Sequence, residues 1–127
     1  MKLAKILVVE DDPLVADAIR TLLDSRGYEV EVAHDGKEVM SSWQNISPDL
    51  IITDMVMPEL DGVNLIRSIR ASHPSLPVIA ISGVGPESGA LYLKFASLIG
   101  ANVTLQKPFN SRDLLSAVSG VLAPAAA

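Results

Sequence analysis

Glu10, Asp11 and Asp12 stand together after one aliphatic run, and Asp54 closes a second. Ser82 closes a third, and Lys107 follows the short segment Val103-Thr104-Leu105. Carboxylates brought within about 4 Å repel by about 4 kcal/mol per pair at an effective dielectric near 20. One lysine does not offset three such charges. A divalent cation does, and with only oxygen ligands on offer the hard ion Mg²⁺ is the natural candidate. A carboxylate beside that ion, with a hydroxyl and a lysine close by, suits the acceptance of a phosphoryl group. Asp54 would attack, the cation and Lys107 would neutralise the phosphoryl oxygens, and Ser82 would donate a hydrogen bond to one of them.

These residues can meet only if the intervening chain brings them together. Ile6-Leu7-Val8-Val9 reads as a central strand, and Asp12-Pro13 as a helix cap with proline at the first helical position. Leu14, Val15, Ala18, Ile19, Leu22 and Leu23 form a helical stripe that Gly27 stops. Glu29 to Ala33 alternates as an edge strand does, and Asp35 with Glu38 forms a capping-box start for a helix to about Asn45. Leu50 to Thr53 is a strand ending at Asp54, and Asp61-Gly62 opens a helix carrying Leu65, Ile66 and Ile69. Pro77 to Ile81 is a strand ending at Ser82. A glycine-rich loop, Gly83 to Gly89, leads to a helix from about Ala90 to Ile99, which Gly100 ends. Val103 to Leu105 is a weak fifth strand, and Asn110 caps a last helix striped by Leu114, Leu115, Val118, Val121 and Leu122.

Strands alternating with helices imply a parallel sheet covered on both faces. Right-handed crossovers favour a flavodoxin-like (βα)5 doubly wound α/β sheet in the order 2-1-3-4-5. In that order Glu10, Asp11, Asp54, Ser82 and Lys107 converge at the carboxyl ends of contiguous strands, where such folds bind ligands. Strand two contributes only Asp35, already occupied as a cap. Each residue alone has an ordinary reading as a loop acid, a turn or a surface lysine. The argument rests on their convergence.

Composition narrows the alternatives. At 127 residues the chain fits one domain, expected over 1–122 with a frayed tail at 123–127. Hydrophobic residues make up 49% but aromatics only 4%, which suits strands buried on both faces. The chain has no cysteine, so thiolate chemistry is excluded. No apolar stretch approaches the roughly 20 residues that span a bilayer, and no signal-peptide pattern is present. A cytoplasmic protein is therefore expected. A net charge of −5 with scattered basic residues argues against direct binding to nucleic acid. His34, at a strand end, and His73, before a proline, have no partner at ligand spacing, and Trp43 and the methionines read as packing residues.

The segments ILVVEDDPLV, DLIITDMVMPELDG, VIAIS and LQKPF, in this order and spanning essentially the whole chain, resemble the receiver domains of two-component response regulators. The resemblance implies that Glu10 and Asp11 are the acidic pair that holds Mg²⁺, together with Asp54 and the backbone carbonyl of Val56. It makes Asp54 the phosphoacceptor, Ser82 the hydroxyl residue and Lys107 the phosphate-binding lysine. Asp12 falls one place past the pair and stays a helix cap. Gly62 matches the glycine that turns the loop into the third helix, and Lys107-Pro108 is expected to be cis. A histidine kinase or histidine phosphotransfer protein would donate the phosphoryl group, and output would pass through protein–protein contacts. With no length left for an output domain, a single-domain regulator or phosphate shuttle is expected.

Rival readings differ at particular residues. A phosphohydrolase using an aspartyl phosphate often carries a second acid two residues after the nucleophile; here that residue is Val56. A nucleotide or flavin module would need a glycine-rich phosphate cradle where this chain has Glu10-Asp11-Asp12. A degenerate receiver serving only as a docking surface would not need the complete acid, hydroxyl and lysine set. The chain also departs from the receiver pattern. Thr104 stands where receivers usually carry an aromatic switch residue, and the stretch from Ser82 to Lys107 is longer than usual. Readout is therefore expected in the loop at 83–89 and the helix after it, with Tyr92 a candidate for partner contact. Val56 and Val84 are apolar and do not orient an attacking water, so a long-lived phosphoryl state is expected.

Overall fold

A computed structural model describes residues 4–55, 62–82, 94 and 96–122. The expectations for Val56, Asp61, the loop at 83–89 including Val84, Tyr92 and the tail at 123–127 lie outside the described residues.

The first strand, β1, runs from Lys5 to Val9 and is buried at every residue but Lys5. Its aliphatic run is what a strand covered on both faces requires. Asp12 then caps α1 (Pro13–Ser25), its carboxylate accepting from the Leu14 N–H at 3.0 Å. Gly27, at φ 92°, takes the chain out of that helix into β2 (Glu29–Ala33). Asp35 caps α2 (Gly36–Ile46) by accepting from the Glu38 N–H at 3.0 Å. The capping box is offset by one residue from expectation: the Glu38 carboxylate reaches back to the His34 N–H at 2.8 Å, not to that of Asp35. Ser47, at φ 48°, ends α2 in the left-handed region.

β3 (Leu50–Asp54) is wholly buried and carries Asp54 as its last residue. α3 (Gly62–Ser72) starts against that strand end. A Cβ at Gly62 would lie 2.6 Å from Met55 Cα and 2.8 Å from the Asp54 carbonyl oxygen, so only glycine fits. β4 (Val78–Ser82) is again buried throughout. Lys94 and Ala96 to Leu98 are helical, and Gly100 leaves that helix at φ 116°. β5 (Val103–Gln106) is only partly buried, as its position at the edge dictates. Asn110 accepts from the Asp113 N–H at 2.8 Å and caps the last helix, α4 (Ser111–Leu122).

The five strands form one parallel sheet in the order β2-β1-β3-β4-β5, the doubly wound flavodoxin-like arrangement expected. Alternation along the strands sorts the core into two layers. Ile6, Val8, Ile52, Ile79 and Ile81 pack with Ile19 and Leu23 of α1 and Leu114 and Val118 of α4. Leu7, Val9, Ile51, Val78 and Ala80 face the other way, against Val39 of α2 and Leu65, Ile66 and Ile69 of α3. Pairing of Val9 with Thr53, Asp54 with Ile81 and Ser82 with Gln106 brings the carboxyl ends of four strands to one level.

The amino end of β4 and β5 is closed differently. Arg70, near the end of α3, donates all five guanidinium N–H groups. They go to the Gly100 carbonyl (3.0 and 2.8 Å), the His73 and Leu76 carbonyls (3.2 and 2.6 Å) and Asn102 Oδ1 (2.8 Å). Asn102 Oδ1 also accepts from the Val78 N–H at 2.9 Å, which ties this corner to the sheet. No helix among the described residues is long and apolar enough to cross a membrane.

Candidate functional site

Glu10 directly follows β1, and its own N–H continues the sheet ladder by donating to the Ala33 carbonyl at 3.0 Å. Held this way, it is only 2% exposed, and its carboxylate is directed into the crevice above the sheet. Oε1 accepts from Lys107 Nζ at 2.8 Å, and Oε2 accepts from the Asp12 N–H at 3.3 Å. Asp54, 7% exposed at the end of β3, accepts from the same ammonium at 3.1 Å through Oδ2. The strand end that bears Asp54 is fixed by the Met55 N–H on the Ile81 carbonyl (2.9 Å) and the Gly62 N–H on the Met55 carbonyl (3.2 Å). The Thr53 hydroxyl, wholly buried, donates to the Asp54 carbonyl at 2.9 Å.

Lys107 reaches the acids because its backbone continues beside β4: its N–H donates to the Ser82 carbonyl at 2.8 Å. The bond to Pro108 is cis, as the resemblance implied. Ser82 is 1% exposed and shares the end of β4 with this contact. Asp11 is exposed, yet one of its carboxylate oxygens lies within 4.8 Å of those of Glu10 and Asp54. Asp12 points away as the α1 cap and is not part of that group. Glu10, Asp11, Asp54 and Lys107 thus come together, with Ser82 at the adjoining strand end. The predicted acidic pair divides into one buried and one exposed carboxylate.

Burial pushes the Glu10 carboxyl up to about 7, and the neighbouring Asp54 charge adds to this, while the hydrogen bond from Lys107 pulls it back. Burial on its own would lower the Lys107 ammonium. The hydrogen bond to Glu10 and the Asp54 charge outweigh that, so Lys107 titrates above its ordinary value and stays charged. Among the described residues the crevice therefore carries more carboxylates than its lysine neutralises. The three carboxylates offer oxygen donors alone, the chemistry preferred by a hard divalent cation, and their mutual spacing fits one.

One residue passed over in the sequence belongs with these. His34 follows β2 and lies beside Glu10, its Nδ1 3.3 Å from the Glu10 carbonyl oxygen. Strand two therefore contributes more than Asp35 to this end of the sheet. The signal was present in the register, since His34 is the next partner after Val9 and Ala33, but it depends on knowing the pairing. His73 instead stacks at a tilt on the Trp43 ring with centroids 4.9 Å apart, away from the acids.

Comparison with known proteins agrees with this geometry. The response regulator receiver domain family matches residues 6–119. The response regulator MprA of Mycobacterium avium is 35% identical over 119 residues, covering 93% of this chain and 50% of that protein. The transcriptional regulatory protein TrcR of Mycobacterium tuberculosis is 27% identical over 118 residues, covering 93% of this chain and 45% of that one. The chain thus spans about half the length of these curated relatives. A response regulator receiver domain protein from Clostridium thermocellum superposes with a TM-score of 0.83 at 34% identity, covering 94% of each chain. The chemotaxis response regulator CheY4 of Vibrio cholerae does so with a TM-score of 0.80 at 30% identity, covering 95% of this chain and 100% of that one. The chain belongs to the response regulator receiver domain family and is a signalling module of two-component systems.

Proposed function

We propose that Asp54 accepts a phosphoryl group from a phosphohistidine on a histidine kinase or histidine phosphotransfer protein. The observation that carries this reading is the Lys107 ammonium held between Glu10 and Asp54, at 2.8 and 3.1 Å, in a crevice with more acids than cations. Glu10, Asp11 and Asp54 would hold Mg²⁺, with the Val56 carbonyl as the further donor that the family resemblance implies. When bound, that ion supplies the positive charge that lets an anionic carboxylate approach an anionic phosphoryl group.

The Asp54 oxygen forms the O–P bond as the donor's N–P bond breaks, and the leaving imidazole takes up a proton. Lys107 is within reach of Asp54 and would move a hydrogen bond from the carboxylates to a phosphoryl oxygen. Ser82, at the neighbouring strand end, would donate its hydroxyl to another. Val56 and Val84 are apolar in the sequence and would not themselves orient a hydrolytic water, so the acyl phosphate is expected to persist for minutes or longer. Signalling then proceeds through protein–protein contacts of residues 1–122; the net charge of −5 does not suit this segment to a phosphate backbone.

Incubation with acetyl phosphate and Mg²⁺, followed by intact-mass measurement, tests the reading. One added phosphoryl group is expected, and Asp54→Asn abolishes it. An unlabelled wild-type protein would favour a receiver that serves only as a docking surface. Rapid continuous release of inorganic phosphate would favour a hydrolase.

A further inference from the structure

In a parallel ladder, a residue that donates its N–H to one neighbour has its carbonyl bonded by the N–H two residues further along the partner strand. The Glu10 N–H donates to Ala33, so the Asp35 N–H would be the next donor, to the Glu10 carbonyl. Asp35, however, has already turned away to cap α2. In its place stands the His34 ring, with Nδ1 3.3 Å from the Glu10 carbonyl oxygen. The His34 backbone is itself held, its N–H donating to the Glu38 carboxylate at 2.8 Å in the first turn of α2.

We infer that His34 is a positioning residue: its Nδ1–H completes the β1–β2 ladder at the Glu10 carbonyl and so fixes the peptide joining Glu10 to Asp11. That peptide sets how the buried carboxylate of Glu10 and the exposed one of Asp11 face a shared cation. The contact requires the ring proton on Nδ1, since a carbonyl oxygen only accepts. Partners of this kind, one step removed from a metal ligand, commonly alter affinity without touching the ion. The inference rests on the Mg²⁺ reading above for its effect on affinity, and on the ladder alone for the ring's state.

Two measurements test it. In metal-free protein at a pH where the ring is neutral, imidazole ¹⁵N shifts show the Nδ1–H tautomer; a dominant Nε2–H tautomer overturns the inference. Titration with Mg²⁺ alone, followed by amide shifts, then compares His34→Phe, which keeps the ring and lacks the donor, with His34→Asn, whose amide N–H occupies the place of Nδ1. We expect His34→Phe to weaken Mg²⁺ binding about three- to tenfold and His34→Asn to stay within about twofold of wild type. Both should keep thermal midpoints close to wild type in EDTA. Equal affinity in His34→Phe and wild type overturns the inference, as does equal weakening in both variants. Wild-type protein that takes up no Mg²⁺ while keeping the Nδ1–H tautomer overturns the metal reading, and with it the claim on affinity.

Discussion

At the carboxyl end of the sheet Glu10 and Asp54 share one ammonium with Asp11 close by, whereas at the opposite end one guanidinium is shared among neutral oxygens. Arg70 has each of its N–H groups on a carbonyl or on Asn102 Oδ1, and burial lowers its pKa. Its hydrogen bonds are complete, so that corner has no use for a ligand. Around Glu10 and Asp54 the hydrogen bonds from Lys107 leave negative charge over. A fully satisfied polar cluster closes a fold, and an under-neutralised one stores a demand for a cation. The two ends of the same parallel strands thus divide into a staple and a site.

Removing the Lys107 ammonium should break this contrast most severely. Lys107→Ala is expected to slow labelling by acetyl phosphate about a hundredfold, measured by intact mass against time, with the Mg²⁺ affinity kept or raised. Acidity comes next. The folded-state pKa of Glu10, raised to about 7 from 4.5, means the metal-free native protein keeps a proton that the unfolded chain has lost. Stability without metal should therefore fall as pH rises from about 4.5 to 7, by on the order of 3 kcal/mol, and level off above. Urea unfolding in EDTA across that range checks it, and Glu10→Gln should flatten the slope.

The staple should respond in the other currency. Arg70→Ala strands several carbonyls and is expected to cost about 2 kcal/mol in urea unfolding, while labelling at Asp54 stays within about twofold. A large loss of labelling with unchanged stability would show that the two ends are not separate. Asp11→Asn should have the smallest effect on stability, within about 0.5 kcal/mol because the side chain is exposed, yet it should weaken Mg²⁺ binding about tenfold in the same titration. That outcome would sharpen the division between the buried and the exposed acid.

Much of this molecule was legible from local chemistry. Aliphatic runs, Asp12-Pro13, Asp35, Gly27 and Gly100 each act within a few residues, so strands, caps and stops follow from composition and spacing. The order of the strands follows from the handedness of the crossovers, and strand order in turn brings Glu10, Asp54, Ser82 and Lys107 to one edge. Residue types at strand ends therefore pointed to side chains that the sheet brings together.

Tertiary structure alone decided how those residues differ. Glu10 and Asp11 are adjacent acids in the sequence, and only the ladder bond to Ala33 makes one a buried partner of Lys107 and leaves the other in solvent. His34 and the reach of Arg70 to Gly100 and Asn102 carried no local signal, because those partners lie far away along the chain. Short-range preferences select elements and the chemical alphabet. Burial and charge balance arise from pairs that meet only when the sheet has closed.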